Sequence, residues 1–192
     1  MDRHGERCPW VTEDPLYLQY HDEEWGSFEH FFNDAYLLEC LSLEIAQAGL
    51  RWLTVLHRRE AYRALFAGFE PEKLARFTDQ DIERLSKDGR IIRHRKKIEA
   101  IVANARALLL LQEREGSFAS FLWRWAGERR IINHWERAEE VPTYTEESKE
   151  LSALLKERGF RFVGPVLCYS FMQAVGLVDD HLTTCIVRKR KV

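Results

Sequence analysis

The sequence predicts an all-α fold, and three observations support this prediction. Glycine and proline, which interrupt helices, number only 10 and 5 among 192 residues. Apolar residues recur every three to four positions along most of the chain, which is the spacing of one helical face. No segment shows the strict apolar and polar alternation of a half-buried strand. Because 45% of the residues are hydrophobic and 12% are aromatic, the chain can bury a substantial core.

Capping residues set the expected helix boundaries. The first 30 residues are expected to be irregular, because Pro9, Pro15 and Gly26 interrupt them. Pro71 suits the first position of a helix, and the run Thr78–Asp81 resembles a capping box. The expected helices cover about 35–48, 51–66, 71–76, 79–86, 93–115, 117–126, 146–158 and 165–174. The polar stretch between the sixth and seventh of these is expected to be an exposed loop.

Glu44 lies on the apolar stripe of the helix over 35–48, whereas Glu39 falls off that stripe and is expected to face solvent. A carboxylate on the buried side of a helix is costly unless another group satisfies it. Two interpretations are open: a structural ion pair with a buried arginine, or a contact to a polar or cationic ligand. Gly49 is expected to end the helix. Residues 50–52 then form a turn from which a large aromatic side chain can reach a pocket.

Two cysteines and two histidines suggest a metal site. Two thiolates and two imidazoles suit tetrahedral zinc, and ligands four residues apart can face one metal from a single helical turn. Four protein ligands leave no open position, so this zinc would be structural and would clip the two ends of the chain together. The alternative is that they are ordinary core or surface residues, and no motif indicates a zinc hydrolase. The four candidates are Cys8, His21, His181 and Cys185.

Residues 79–115 are expected to form a helix-hairpin-helix, because two helices flank a break at Gly89. The hairpin is rich in cations, with Asp88 as its acid. Backbone N–H groups at a glycine turn and a helix start bind phosphate, and flanking cations strengthen that contact. The alternative is a solvated charged face. The net charge of -2 provides no global attraction for nucleic acid, so binding requires such a local patch. The cations are Lys87, Arg90, Arg93, Arg95, Lys96 and Lys97.

Aromatic residues crowd the N-terminal third of the chain. Tyr17, Tyr20, Trp25 and Trp52 would wall a pocket that contains Glu44. Enzymes hold an extruded nucleotide by stacking its flat base between such side chains. The alternative is a loop pinned by aromatic packing. Together with a phosphate-binding hairpin and a buried carboxylate, the pocket points to DNA base excision.

Several short segments that span nearly the whole chain carry a resemblance. They are Cys8–Trp10, Asp14–Tyr17, Tyr20–Asp22, Glu24–Gly26, Gln47–Leu50 with Trp52, Ile91–Arg95, Gly159–Gly164, Cys168–Gln173, Gly176–Val178 and Asp180–His181. In this order they resemble the DNA-3-methyladenine glycosylase I family of the helix-hairpin-helix DNA glycosylase superfamily. The resemblance implies a helix-hairpin-helix glycosylase-like helical bundle, with a zinc clip between its N- and C-terminal segments.

The resemblance also implies a role for individual residues. Glu44 matches the family's base-recognising carboxylate, which we take as the catalytic residue. Tyr20 matches an aromatic that hydrogen-bonds the base, Trp52 matches the stacking tryptophan, and Trp25 matches another pocket tryptophan. Tyr17 joins them as a predicted base-binding residue. The ligands of one structural Zn²⁺ per chain match Cys8, His21, His181 and Cys185.

Gln47 and Leu50 are implied to lie near the gap that the extruded nucleotide leaves. The next residue, Arg51, stands where the family usually has serine, and it adds a cation to the expected DNA surface. The hairpin reads Gly89-Arg90 where family members commonly have glycine at the second of these positions. If the turn requires a positive φ there, Arg90 is strained. Together with these residues, Arg93 and Arg95 complete the predicted DNA-binding set.

The implied activity is hydrolysis in base-excision repair. The enzyme would flip 3-methyladenine out of alkylated double-stranded DNA and release it, and no lysine is placed as a Schiff-base nucleophile, which favours a glycosylase without lyase activity. Superfamily relatives use a catalytic aspartate that this family lacks at the usual place. Asp180 is expected instead to orient the metal ligand His181.

Two alternative functions stay open. One is a non-catalytic, zinc-stabilised protein that binds DNA lesions, and the other is a glycosylase with altered base preference. The aromatic run over 27–33 would alter access to the pocket or bury against a partner. Without an apolar signal region or a membrane span, we expect a bacterial cytoplasmic monomer that does not bind membranes and associates with the nucleoid when it acts. We expect one compact domain over 1–192 with two helical sub-lobes.

Overall fold

The computed structural model describes residues 6–190, so the predicted limits at 1 and 192 lie outside it. The all-α prediction is confirmed, because helices dominate this range. The helices are α1 (Pro15–Gln19), α2 (Asp34–Gln47), α3 (Trp52–Leu56), α4 (Arg59–Leu65), α5 (Pro71–Leu74), α6 (Asp79–Lys87), α7 (Arg95–Glu115), α8 (Phe118–Trp125), α9 (Glu146–Glu157), α10 (Pro165–Ala174) and α11 (Ile186–Arg190). Short 3₁₀ turns cover Ala67–Phe69 and Ala138–Glu140, and a π-helical turn covers Tyr20–Glu24.

Helix α2 is the centre of the fold and is buried on all sides. Every residue from Leu37 to Ala46 is buried, with α3, α5, α7, α8 and α10 packed around the helix. The prediction that Glu39 faces solvent is therefore wrong. Glu39 is 6% exposed, and its carboxylate accepts hydrogen bonds from Arg59 at 2.5 Å and Arg63 at 2.9 Å. The apolar stripe failed as a guide because a central helix has no solvent face.

Two further expectations about local structure differ from the fold. The helix expected over 51–66 is divided into α3 and α4 by His57 and Arg58, a break that apolar spacing does not mark. The loop after α8 contains strand β1 (Ile131–Ile132), which pairs in parallel with β2 (Val178–Asp179). Two-residue strands are too short to produce an alternating pattern, so sequence periodicity could not reveal them.

The aromatic run over 27–33 packs against α8, away from the predicted pocket. Phe28 and Phe31 stack with ring centroids 4.4 Å apart, and both lie against Trp123. Arg130 lies over the Phe28 ring at 5.4 Å. Phe31 belongs to the core and Phe28 packs against it, whereas Phe32 is 63% exposed.

Gly176 fixes how the N-terminal segment crosses the end of α10. Its φ is +74°, and a Cβ at this position would lie 2.1 Å from the backbone oxygen of Ser27. Only glycine tolerates both the left-handed backbone and this approach. Hydrogen bonds from Arg130 to the carbonyl oxygens of Gly176 and Gly26 brace the same crossing. None of the described helices is both long and apolar enough to span a bilayer.

Candidate active site

A cavity of about 430 Å³ opens between the N-terminal segment, α2, α3 and α10. This volume lies in the range of small-molecule sites. Seven predicted site residues line it: Cys8, Tyr17, Tyr20, Trp25, Glu44, Gln47 and Trp52. The caps of two helices help to place them. Asp14 caps α1 by accepting from the N–H groups of Leu16 and Tyr17, and Asn33 caps α2.

Glu44 is 7% exposed, and its carboxylate has no hydrogen bond or ion pair with any residue between 6 and 190. Burial raises its pKa to about 8. The structural ion pair considered for this residue is therefore absent from the described chain. Glu39 has that role instead, through Arg59 and Arg63. A buried carboxyl group without a partner is suited to a ligand that supplies positive charge or hydrogen-bond donors.

Aromatic rings form the walls around Glu44. The ring centroids of Tyr20 and Trp52 are 5.2 Å apart, and Trp10 lies 4.9 Å from Trp25 and 5.2 Å from Tyr17. Burial and the nearby Glu44 charge raise the pKa of Tyr20 well above its usual value, so its hydroxyl stays a donor. The buried Nε1 of Trp52 has no hydrogen-bond partner among the described residues.

Sequence reasoning did not predict four polar or aromatic residues as part of the lining. Trp10, Ser170, Gln173 and Asp180 all line the cavity. All four lie in segments that carried the resemblance, but a motif match does not tell which side chains point inward. Asp180 was singled out, but for a different role.

The Asp180 carboxylate makes no hydrogen bond to the His181 ring, so the prediction that it orients this ligand is wrong. Asp179 does so instead, because its Oδ1 lies 2.8 Å from Nδ1 of His181. The Asp180 carboxylate accepts from Asn133 and Trp135, which lie in the segment predicted to be an exposed loop. Strand pairing brings that segment beside β2, which explains why the local sequence was misleading.

Beside the cavity, three of the four predicted metal ligands come together. The ligand atoms of Cys8, His21 and Cys185 lie within 4.8 Å of one another, and all three side chains are buried. The His181 ring is 5.0 Å from the His21 ring, and its Nε2 lies 3.4 Å from the His21 carbonyl oxygen. Residues 181–185 form a turn rather than a helix, so the expected helical i, i+4 geometry is wrong.

The sulfur of Cys185 lies 3.6 Å from His21 Nε2, and the Cys8 thiol is its other close neighbour. The neighbouring Cys8 thiol and His21 ring lower the pKa of the Cys185 thiol, which favours the thiolate that binds metals. Asp22, held by Arg7 at 2.7 Å, lies 2.7 Å from Nδ1 of His21 and orients this ring.

Helices α6 and α7 pack against each other across the segment over 88–94, where the hairpin is predicted, and the capping box at Thr78 and Asp81 is present. Arg90 pairs with Asp88 at 2.7 Å. Arg95 pairs with two glutamates, Glu83 and Glu99. Arg93 is exposed and has no ion pair within the described part of the chain.

Lys97 differs from the other cations of this run because it is buried. Its Nζ donates to the carbonyl oxygens of Ala46 at 2.9 Å and Ala48 at 2.6 Å, at the C-terminal end of α2. The charge therefore caps a helix and is not available to phosphate. This contact places the hairpin beside the turn over 48–51.

That turn follows α2 and projects from the fold. Gly49 has a φ of +82°, as expected for a residue that ends a helix. Gln47 Nε2 donates to the Leu50 carbonyl oxygen at 2.9 Å and braces the turn. Leu50 is 39% exposed, and Arg51 is exposed without an ion pair to residues 6–190.

The sequence model of the methyladenine glycosylase family matches residues 10–189. The chain belongs to the methyladenine glycosylase family. Among its relatives in this family, DNA-3-methyladenine glycosylase 1 of Escherichia coli (strain K12) is 49% identical over 180 residues, which are 94% of this chain and 95% of the relative. DNA-3-methyladenine glycosylase of Haemophilus influenzae is 48% identical over 179 residues, 93% of this chain and 96% of the relative.

Solved structures of the family have the same fold. A crystal structure of 3-methyladenine DNA glycosylase I has a TM-score of 0.90 at 48% identity, over 94% of this chain and 98% of the other. A structure that describes 3-methyladenine recognition by the Staphylococcus aureus enzyme has a TM-score of 0.90 at 42% identity, over 94% and 95%.

One departure from the family pattern proves harmless for the backbone. Neither Gly89 nor Arg90 has a positive φ, and a Cβ at Gly89 would meet nothing within 4 Å. The hairpin turn therefore does not require glycine at either position, and Arg90 is not strained. The other departure, Arg51, lies on the projecting turn, where its exposed charge affects no contact of the fold.

Proposed function

We infer that this methyladenine glycosylase extrudes 3-methyladenine from alkylated DNA and hydrolyses the bond between base and sugar, without lyase activity. One observation carries the inference: the unpartnered Glu44 carboxyl lies in an aromatic-walled cavity of base size. A family relative has been solved in complex with 3-methyladenine, which supports the same ligand here. The catalytic role belongs to Glu44, and base binding belongs to Tyr17, Tyr20, Trp25 and Trp52.

The chemistry follows from the charge of the damaged base. A 3-methylated adenine is a cation while attached to the sugar, and it leaves as a neutral base, so the enzyme supplies little acid catalysis. A stacked ring such as Trp52 attracts the cation through its π face. The ionised form of Glu44 pairs with the same charge, so cation binding lowers the pKa that burial has raised. Both interactions favour the methylated base over adenine.

We propose that Cys8, His21, His181 and Cys185 hold one structural Zn²⁺. The clustering of two sulfurs and an imidazole nitrogen, with a second imidazole ring alongside, supports this donor set. Two thiolates and two imidazoles suit tetrahedral zinc with no open position. The ion would therefore supply a cross-link between the chain ends and no reaction step.

Double-stranded DNA is the proposed macromolecular partner. The hairpin residues Gly89, Arg90, Arg93 and Arg95 would contact phosphate, which positions a duplex without reading its sequence. On the projecting turn Gln47, Leu50 and Arg51 would occupy the gap left by the extruded nucleotide. The Lys97 contact that joins hairpin and turn supports their action on one duplex.

We also propose that the protein acts as a monomer beside the bacterial chromosome, in the cytoplasm. The cavity lining already includes Glu44 and the aromatic rings of the proposed base site, so the proposed site needs no residue from a second copy. Sedimentation of the protein alone and with an alkylated duplex tests this. A dimer under both conditions would contradict the monomer.

The deciding experiment measures release of free base from alkylated duplex DNA. We expect the intact protein to release 3-methyladenine. The variants Glu44→Gln and Trp52→Ala should release much less of it, since each substitution removes a contact to the cation. Glu72→Gln, which changes an exposed glutamate on α5, is the matched control and should act like the intact protein. Binding of alkylated DNA without base release would instead identify a lesion-binding protein.

A further inference from the structure

Gln173 and Asp180 form a polar pair in the wall of the cavity. They come from the C-terminal part of the chain, whereas Glu44 comes from the N-terminal part. Gln173 lies on α10, and Nε2 of its side chain donates to Oδ2 of Asp180 at 2.7 Å. Both residues line the cavity. Neither has a role in the activity described so far.

The Asp180 carboxylate is fully occupied. It is 1% exposed, and its Oδ1 accepts from Asn133 Nδ2 and Trp135 Nε1, both at 2.7 Å. Its Oδ2 accepts from Tyr169 Oη at 2.5 Å and from Gln173. An ionised carboxylate offers about four lone-pair positions, and four donors fill them. Asp180 therefore has no acceptor left for a water molecule and is not a general base.

This occupancy fixes the orientation of the Gln173 amide. A carboxylate can only accept, so the amide must present its NH₂ group to Asp180. Its Oε1 then points away from Asp180, and it accepts no hydrogen bond from the described residues. The cavity wall thus contains an acceptor oxygen whose position is set by Tyr169, Asn133 and Trp135 through one shared anion.

We propose that Gln173 determines base specificity, with Asp180 as its positioning residue. The proposal rests on the proposed function. Oε1 of Gln173 accepts a hydrogen bond from the exocyclic amine of the extruded 3-methyladenine. A 3-methylated guanine is also cationic and flat, so charge and stacking alone accept it. It carries a carbonyl oxygen where adenine has the amine, and two acceptors would then face each other without a proton between them.

A hydrogen bond between a buried acceptor and a base discriminates strongly between two bases, because the base that lacks the donor leaves buried polar groups unsatisfied. The locked amide matters for that reason. A free glutamine would rotate and offer its NH₂ group to the guanine oxygen, whereas the Asp180 pair prevents this rotation.

The test compares release of 3-methyladenine and 3-methylguanine from the same alkylated duplex by Gln173→Met. This side chain has similar length and no hydrogen-bonding oxygen. We expect kcat/KM for 3-methyladenine to fall about tenfold, and the preference over 3-methylguanine to narrow by a similar factor. Asp180→Asn should narrow the preference as well, since an amide at 180 can accept or donate and releases the Gln173 orientation.

Gln112→Met is the matched control. Gln112 Nε2 donates to Asp34 Oδ2 at 2.7 Å, so it forms the same kind of pair far from the cavity. This variant should keep the preference of the intact protein. If Gln173→Met also keeps it, the proposal is overturned even if Asp180→Asn fails to fold. Lack of 3-methyladenine release by the intact protein would instead overturn the proposed function, and this inference with it.

Discussion

Glu44 combines near-complete burial with the lack of a partner, and this pair of properties defines the site. Periodicity predicted the burial from the sequence, because Glu44 shares a stripe with Leu41 and Ala48. It could not predict the missing partner, since Arg59 and Arg63, which pair with Glu39, lie some 20 residues away in the chain. Glu39 and Glu44 are five residues apart, and the positions of those distant arginines decide which of the two carboxylates is paired.

We predict that Glu44→Gln stabilises the free protein increasingly as pH rises. Burial raises the pKa of Glu44 from 4.5 to about 8. Between these values the unfolded chain has lost a proton that the folded protein retains, so the free energy of unfolding falls with rising pH. Glutamine has no proton to lose in this range. The free energy of unfolding of the variant should therefore exceed that of the intact protein by a margin that grows by about 3 kcal/mol between pH 5 and pH 8.

Urea unfolding of both proteins at the two pH values measures this difference. Glu72→Gln should show no growth in the same comparison, because its carboxyl group is exposed. A difference for Glu44→Gln that is the same at pH 5 and pH 8 would contradict the raised pKa.

Among the elements, the hairpin and the end of α2 are joined by one lysine. We predict that Lys97→Met destabilises the protein by about 1–3 kcal/mol, since two carbonyl oxygens at the end of α2 lose their charged donor. Lys96→Met, at an exposed neighbouring position, should change stability by less than about 0.5 kcal/mol. Denaturant unfolding measures both variants, and equal effects would show that the lysine cap is unimportant.

The arginines of the hairpin should differ in their contribution to DNA binding. We predict that Arg93→Ala makes the dependence of the DNA-binding constant on salt less steep. The magnitude of the slope of log K against log salt should fall by about 1, because this exposed side chain is free to contact phosphate. Arg90→Ala should lower it less, since Arg90 already pairs with Asp88. Binding of a duplex across a salt series measures the slopes. The assignment of Arg93 to phosphate contact would fail if its removal left the slope unchanged.

Local signals predicted most elements, because caps act within a few residues. The capping box at Thr78, the proline at the start of α5 and the glycine after α2 all lie where expected. The break between α3 and α4 and the β1–β2 pair were missed. These features depend on contacts between distant segments, such as Ile131 with Val178, that leave no local pattern.

For the whole molecule, the proposed zinc clip and the Gly176 crossing both join the chain ends. We predict that Cys8→Ser lowers the zinc content below one per chain and lowers the melting temperature. Cys40→Ser changes a cysteine buried in the main core, so it should reduce stability and leave the zinc content unchanged. Metal analysis of purified protein decides the matter, and protein that folds fully without zinc would refute the clip.

The crossing gives a second prediction at this scale. Gly176→Ala should lower the free energy of unfolding of the protein by at least about 2 kcal/mol, because it adds a clash with Ser27 to the cost of a positive φ. Gly68→Ala shares the positive φ but meets nothing within 4 Å, so it should cost only about 1 kcal/mol. Thermal or urea unfolding compares the two, and equal losses would argue against the close approach.

A single domain with two sub-lobes stays a prediction. We propose that the chain unfolds as one unit, since one apolar cluster extends from Phe31 to Val178. The sequence could predict which aromatic and acidic residues build the pocket. It could not predict the Asp180 network, which depends on the pairing of segments near residues 133 and 180.

The cavity also has a consequence for how the protein is made. Its lining runs from Cys8 to Leu182, so residues from both ends of the chain must meet before a base can bind. During synthesis the N-terminal aromatics emerge first and wait for α10 and Leu182 to leave the ribosome. A nascent chain therefore has no working pocket until Leu182 has left the ribosome, and base release reports that the chain has been made and folded at least as far as that residue.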